Sequence, residues 1–243
     1  MKYIASLSGG KDSVAMVLKL IELDCQLDEV VTFDTLWEFE SVYNVIKLVE
    51  NICKQHNIKF TILKRHVNSY YEMFVKPIKT RDGSEKYGYG WCGGNCRWNT
   101  TFKTQTISKY LKQNYPNGYK EYVGIAYDEP KRIKDKVYPL VDWEMTEKEC
   151  LKYCHDNNIF WFEGDIELYS VLDRVSCWCC RNKNLKELRA IYNNLPEYWQ
   201  RLKGMQSRIP EPFKEGRSIQ DLEDIFENYN GYKSLKGKTE ILI

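Results

Sequence analysis

The residues best placed to do chemistry come early: Ser8-Gly9-Gly10-Lys11-Asp12-Ser13 follows the apolar run Tyr3-Ile4-Ala5 and precedes Val14-Ala15-Met16-Val17-Leu18. A buried strand, a glycine turn and a helix in that order make a cradle for phosphate. Glycine has no Cβ, so the turn brings its backbone N–H groups close to an anion. The helix start adds its positive dipole end and its unsatisfied N–H groups. Lys11 supplies a full positive charge, and Ser8 and Ser13 supply hydroxyl donors. Asp12 suits either a metal ion beside the phosphates or a helix cap. The spacing is neither that of the Walker A loop nor that of the dinucleotide G-x-G-x-x-G turn.

Two more motifs stand where strands should end. Asp34-Thr35, in the stretch Phe33 to Phe39, places a carboxylate and a hydroxyl at the exit of a second strand; an N-cap for the next helix is the alternative role of Asp34. Gly124-Ile125-Ala126-Tyr127-Asp128-Glu129-Pro130-Lys131-Arg132 follows a later strand. There Asp128 could hold Mg²⁺, while Arg132, a planar bidentate donor, suits phosphate oxygens better than Lys131 does. A solvated loop of mixed charge is the plainer alternative. Ligands of open parallel sheets sit beyond the carboxyl ends of the strands, where all three motifs fall.

Five of the nine cysteines form two knots, Cys92-Gly-Gly-Asn-Cys96 and Cys177-Trp-Cys179-Cys180. Two close pairs from distant segments are the usual source of a tetrahedral four-thiolate site, here Cys92, Cys96, Cys177 and Cys180. Thiolates select Zn²⁺ or an iron–sulfur cluster, and the spacing leaves both open. Cys179 either replaces Cys177 as a ligand or is a reactive thiol, and buried thiols without metal are the alternative for the set. Arg97 and Arg181 flank the knots. Cys25, Cys53, Cys150 and Cys154 fall singly or at helical spacing and read as core positions, whereas His56, His66 and His155 sit in no motif.

The elements that must position these groups alternate. Strands are expected at residues 2–7, 29–34, 58–63 and 121–126, and helices at 12–24, 39–56, 101–114 and 146–157. Thr146 and Glu149 form a capping-box pattern, and Pro139-Leu140-Val141 reads as a turn. Alternation of this kind implies an α/β fold with a doubly wound, mainly parallel, five-stranded sheet. Residues 76–100 read as a loop-like insertion bearing the first knot, within a nucleotide-binding domain at 1–160. A small Cys-rich, helical module is expected at 161–243, with helices at 184–193, 196–206 and 218–228 and a frayed tail at 230–238. A metal site joining insertion and module would order a region poor in apolar core.

Composition narrows the classes. The 243 residues are 43% hydrophobic and 29% charged with a net charge of +2, values of an ordinary globular protein rather than a bulk nucleic-acid binder. No stretch reaches the length of a membrane span and no secretion signal is visible, so a cytoplasmic protein is expected. Eighteen tyrosines and seven tryptophans would suit stacking on bases as well as packing.

Ser8–Ser13 resembles the SGGxDS signature of the PP-loop ATP pyrophosphatases, the adenine nucleotide α-hydrolase superfamily with its Rossmann-like sheet. Together with the Asp-Thr strand end, G-I-x-x-D-E-P-K-R, W-C-G-G-x-C-R-W and S-C-W-C-C, it looks like the PAPS reductase-like branch, many of whose members come from phages and mobile elements. The resemblance covers residues 1–195. Leu36 stands where that branch usually carries glycine after Asp-Thr. The resemblance implies binding of ATP or a related adenine nucleotide by Ser8, Gly9, Gly10, Lys11, Asp12, Ser13, Asp34, Thr35, Gly124 and Asp128. It implies Mg²⁺ as a cofactor, with Lys11, Asp12 and Arg132 in catalytic roles. The reaction would be cleavage of the α–β phosphate bond to adenylate an acceptor; with a redox cluster, it would serve sulfur transfer to a nucleic acid or small molecule. A PAPS or APS reductase is an alternative, although the chain has no cysteine after Cys180 for the thiol attack of assimilatory reductases. A non-catalytic adenylate-binding module with a structural zinc is another, and direct nucleic-acid binding through Lys64–Arg97 a third. Acceptor, sulfur donor and homo-oligomer formation stay open.

Overall fold

Short runs rich in β-branched and aromatic residues pair in parallel: β1 (Lys2–Leu7), β2 (Glu29–Asp34) and β3 (Lys59–Lys64). After β4 (Pro77–Lys79) and β5 (Glu85–Tyr87), which pair with each other, β6 (Tyr119–Val123) completes a four-stranded sheet in the order β3-β2-β1-β6. The structure, a computed structural model, describes residues 1–64, 69–92, 94, 96, 100–228, 232–233 and 239–240. Gly93, Arg97, His66 and most of the tail read at 230–238 lie outside the described residues. Two compact units emerge, one of Met1–Arg65 with Asn99–Glu167, the other of His66–Trp98 with Leu168–Ile243.

The first unit holds the sheet. Ile4, Val31 and Phe33 meet Ile107 and Leu111 of α4 (Phe102–Asn114) in a buried cluster. α1 (Lys11–Glu22) packs against both β1 and α6 (Glu147–Asp156), and α2 (Glu40–Gln55) against β3. This double packing explains why α1 is buried through Val14, Ala15, Met16, Val17, Leu18 and Leu20, and even at Lys11 and Ser13. Thr146 and Glu149 form the expected capping box on α6. A hairpin of β7 (Phe162–Glu163) and β8 (Ile166–Glu167) closes the unit.

Among the described residues the sheet has four strands, not the five expected. Beside β6, where a fifth would lie, the chain makes one parallel bridge, Tyr122 to Val137. The segment before it, Lys134-Asp135-Lys136, is charged, and Pro139 starts the short helix α5 (Pro139–Asp142) two residues later, so pairing cannot extend. The same proline, at the start of α5, makes the expected turn a helical one.

In the second unit, α8 (Leu185–Asn194), α9 (Pro196–Gln206) and α10 (Ile219–Asn228) close on Leu188, Ile191, Trp199, Leu202, Phe213, Ile219 and Leu222, all buried. Before them come α3 (Ser69–Phe74) and α7 (Leu168–Val171). The β4–β5 hairpin falls in the expected loop 76–100: Asp82-Gly83 turns the chain, but strands of three residues leave too little alternation to read. Among the described residues no helix is long and apolar enough to cross a membrane.

At the amino edge of the sheet, the fully buried Glu29 carboxylate accepts hydrogen bonds from Tyr110 at 2.7 Å and from the Thr61 and Tyr115 hydroxyls, and pairs with Lys59 at 3.1 Å. Burial pushes its pKa up, but these donors outweigh it and hold the carboxyl below its ordinary range. A carboxylate of depressed pKa stabilises the fold above its unfolded pKa and loses that contribution as pH falls through the folded one. Glu29→Gln should therefore cost about 2–4 kcal/mol at pH 7. Urea unfolding should show the gap closing toward pH 3; a gap independent of pH would refute the assignment.

Candidate functional site

Beyond the carboxyl end of β1 the chain turns through Gly9, whose φ of +79° lies in the left-handed region. A Cβ on Gly9 would sit 2.7 Å from Val42 Cγ1 and 2.9 Å from Ile46 Cγ1 of α2, so both backbone and space require glycine. The buried Trp161 indole donates to the Gly9 carbonyl at 2.8 Å and fixes the turn from its other side. Ser13 Oγ donates to the Gly10 carbonyl and lies 2.9 Å from Ser8 Oγ, so the two hydroxyls brace the loop. Gly10 occupies the N-cap of α1 and makes no side-chain cap hydrogen bond, and a helix start carries the positive end of the helix dipole.

The end of β6 closes the other side. A Cβ on Gly124 would meet Ser13 Cα at 2.7 Å and Ser13 N at 2.8 Å. Backbone here touches backbone, and the expected strand-end glycine has a steric reason. The chain then runs through Asp128 and Glu129 toward α6.

Three carboxylates gather around one lysine. Ligand oxygens of Asp12, Glu129 and Glu147 lie within 4.8 Å of one another, the grouping of metal-ligand type among the described residues. Lys11 Nζ lies 3.0 Å from Glu147 Oε2 and 3.4 Å from Asp12 Oδ1. Burial pulls Lys11 down, but Asp12 and Glu147 more than offset it and keep its pKa above the ordinary value. Asp12 is pushed up to about 6, first by burial and then by the charges of Glu147 and Glu129, with Lys11 pulling the other way. Three acids against two bases, Lys11 and the Arg132 that pairs with Glu129, leave one negative charge in excess, and three oxygen ligands suit a divalent cation.

The other expected residues are placed as follows. Asp128 Oδ1 accepts the Glu147 N–H at 3.0 Å, so it caps α6 and sets Glu147 in place. Arg132 is exposed and pairs with Glu129 at 2.6 Å. Asp34 is not the N-cap of α2, which is Phe39; its Oδ1 accepts the Leu36 N–H at 2.9 Å and the Tyr43 hydroxyl at 3.1 Å. Thr35 Oγ1 accepts the Trp37 N–H and donates to Glu38. Leu36 has φ +66°, a conformation that costs a non-glycine residue about 1–2 kcal/mol. The backbone thus keeps the turn that glycine would favour. Sequence reading missed Glu147, which lies far along the chain, and gave Glu129 no separate role. Its available signal was position: Glu147 is the first residue of α6, directly after the recognised cap Thr146.

The cysteine knots belong to the second unit. Trp91, next to Cys92, packs edge-on against Phe213 with ring centres 4.7 Å apart. Asn182, two residues after Cys180, accepts the Gly94 N–H at 2.8 Å and donates to the Gly94 carbonyl at 2.9 Å. This reciprocal pair clamps the Cys92–Cys96 loop to the chain leaving Cys180. Trp178 is buried and packs on Tyr198. By contrast, burial pushes the thiols of Cys53 and Cys154 up to about 12, as suits packing positions.

No family model matches the chain. An uncharacterized protein of Methanocaldococcus jannaschii is 26% identical over 230 residues, which is 88% of this chain and 43% of that protein. The chain thus spans less than half the length of this relative.

Two outcomes test the site's geometry. Gly124→Ala should force β6 and α1 apart, destabilise the protein by about 1–3 kcal/mol in urea unfolding and shift amide resonances of residues 9–13. Unchanged stability and resonances would refute the close approach. A carboxyl with raised pKa favours the fold while protonated and loses that contribution as pH rises through about 6. Without divalent cations, Asp12→Asn should therefore gain on the order of 2 kcal/mol at pH 8 and nothing at pH 4. Added Mg²⁺ should stabilise the native protein more than the variant.

Proposed function

We propose that the first unit binds ATP or a related adenine nucleotide and cleaves its α–β phosphate bond to adenylate an acceptor. The observation that carries this reading is the buried Lys11 at the start of α1, paired with Asp12 and Glu147, whose carboxylates group with that of Glu129. A Walker-type lysine reading is excluded by the spacing, and a purely structural turn would not need three carboxylates against a buried ammonium.

In this reading the glycine turn and the N–H groups of α1 hold the β,γ-diphosphate, and Lys11 exchanges Glu147 for phosphate oxygen. Asp12, Glu129 and Glu147 fit Mg²⁺ by charge and donor type, and the ion would supply charge neutralisation for the leaving diphosphate. An acceptor oxygen attacks the α-phosphorus; its bond to phosphorus forms as the α–β bridging bond breaks. Pyrophosphate leaves with the electron pair and the acceptor proton passes to water. Catalysis is then positioning and charge stabilisation by groups set before the substrate arrives. Arg132 joins the phosphates on release from Glu129, an exchange its exposed position permits.

The second unit extends the reading. Cys92, Cys96, Cys177 and Cys180, with their loops clamped by Asn182 and Gly94, suit Zn²⁺ or a [4Fe–4S] cluster by donor chemistry. A cluster would supply redox chemistry for sulfur transfer to the adenylated acceptor, whereas zinc would fit an adenylating enzyme or a nucleotide-binding module. Membership of the PP-loop superfamily, and of its PAPS reductase-like branch, is part of this proposal.

Titration calorimetry with ATP and Mg²⁺ should give a saturable site, and Lys11→Ala should weaken it at least tenfold, the loss of a buried charge-assisted contact. Native-like ATP affinity in the variant would overturn the cradle. Pyrophosphate release on addition of an acceptor marks an enzyme; binding without release leaves the regulatory module.

A further inference from the structure

One peptide of the glycine turn is left undecided by the turn's own residues. Gly9 and Gly10 both lack a Cβ, so the plane of the peptide between them can turn over at little conformational cost. One orientation offers the Gly10 N–H to the open side of the turn; the other offers the Gly9 carbonyl, whose negative end repels phosphate. The serines do not choose between them. Ser13 Oγ accepts the Ser8 N–H at 3.0 Å and donates to the Gly10 carbonyl at 3.0 Å, groups to either side of that peptide. Ser8 Oγ lies 3.4 Å from Gly10 N, but a hydroxyl can accept from an N–H or donate to a carbonyl and so serves both orientations.

Trp161 does choose. Its indole N–H can donate and cannot accept, and it donates to the Gly9 carbonyl at 2.8 Å from a side chain with no exposed surface. A flipped peptide would set the Gly10 N–H against that donor, two like dipoles in a buried place. The peptide is trans, so a carbonyl held toward Trp161 turns the Gly10 N–H the opposite way, toward the exposed Ser8. The chain around Trp161 keeps the indole in position. Phe160 and Phe162 are exposed, and alternation along the extended run turns Trp161 and Glu163 to the other side. Glu163 Oε1 accepts the Ser41 N–H at 2.7 Å in the first turn of α2, the helix whose Val42 and Ile46 confine Gly9. One short run thus ties down both the turn and the helix packed on it.

We propose that Trp161 selects the polarity of the phosphate turn, presenting an N–H rather than a carbonyl to the ligand. It is a positioning residue that acts through Gly9 across 152 positions of sequence and touches no ligand itself. The inference rests on the phosphate-binding reading of the turn and adds a specificity determinant that lies in none of its motifs.

The test uses full-length protein, titration calorimetry with ATP and Mg²⁺ for affinity, and the amide resonance of Gly10 for the peptide. Trp161→Phe keeps a buried ring and removes the donor. It should weaken ATP binding roughly tenfold and move the Gly10 resonance in the ligand-free protein. Should Trp161→Phe not fold, benzothienylalanine at position 161, which has the indole's shape with sulfur in place of the N–H, is judged by the same two readings. A folded variant with native affinity would overturn the inference. Weakened binding with the Gly10 resonance unmoved would also overturn it, because Trp161 would then act by packing alone. Native protein that binds no ATP would instead sink the function proposed above, and the Gly10 resonance would still decide whether Trp161 sets the peptide.

Discussion

The approach of two backbones governs the first unit. The start of α1 passes so near the chain leaving β6 that a single methyl group on Gly124 would lie 2.7 Å from Ser13 Cα. Gly9 is confined in the same way by α2. With glycines on both sides, the helix start sits close against both α2 and the chain leaving β6. β1 lies between β2 and β6, so this is also where the order of the strands reverses. A parallel sheet opens a crevice at such a point, and here the phosphate-type loop fills its floor.

Once the backbone is set, electrostatics decides what can enter. Lys11 alone would attract phosphate, but Asp12, Glu129 and Glu147 turn the pocket negative. On the function proposed above, an anion would enter together with a divalent cation rather than alone. The elevated pKa of Asp12 expresses the same conflict inside the protein, with burial and like charge together disfavouring its ionised form. The capping of Glu147 by Asp128 has a place in this: it holds one carboxylate at the start of α6, where the helix dipole steadies its charge.

The sheet and the loop were legible because both are local. β1, the glycine turn and α1 are contiguous, and the apolar period changes at Gly9-Gly10 itself. The cap at Thr146 depends on four residues and falls as their types suggest. Glu147 was illegible for the opposite reason: its nearness to Lys11 depends on α6 folding back over α1, a contact across 136 positions. The missing fifth strand fell to a proline and three charged residues, which stop pairing after one bridge. Leu36 taught the reverse lesson, since a residue that seemed to break the motif still adopts its left-handed turn.

The two units present the same physical pattern with opposite sign. In the first, Asp12, Glu129 and Glu147 outnumber Lys11 and Arg132 by one; in the second, Lys183, Lys214, Arg174 and Arg181 lie near Glu187. Stability alone does not favour either arrangement, because a buried imbalance costs free energy that an apolar replacement would recover. On the function proposed above, the first would become favourable with a divalent cation and phosphate bound. Binding of that guest would then stabilise the native state over the unfolded one. The same logic explains why the buried cysteines Cys53, Cys150 and Cys154 belong to neither site. Burial above all holds the three as thiols.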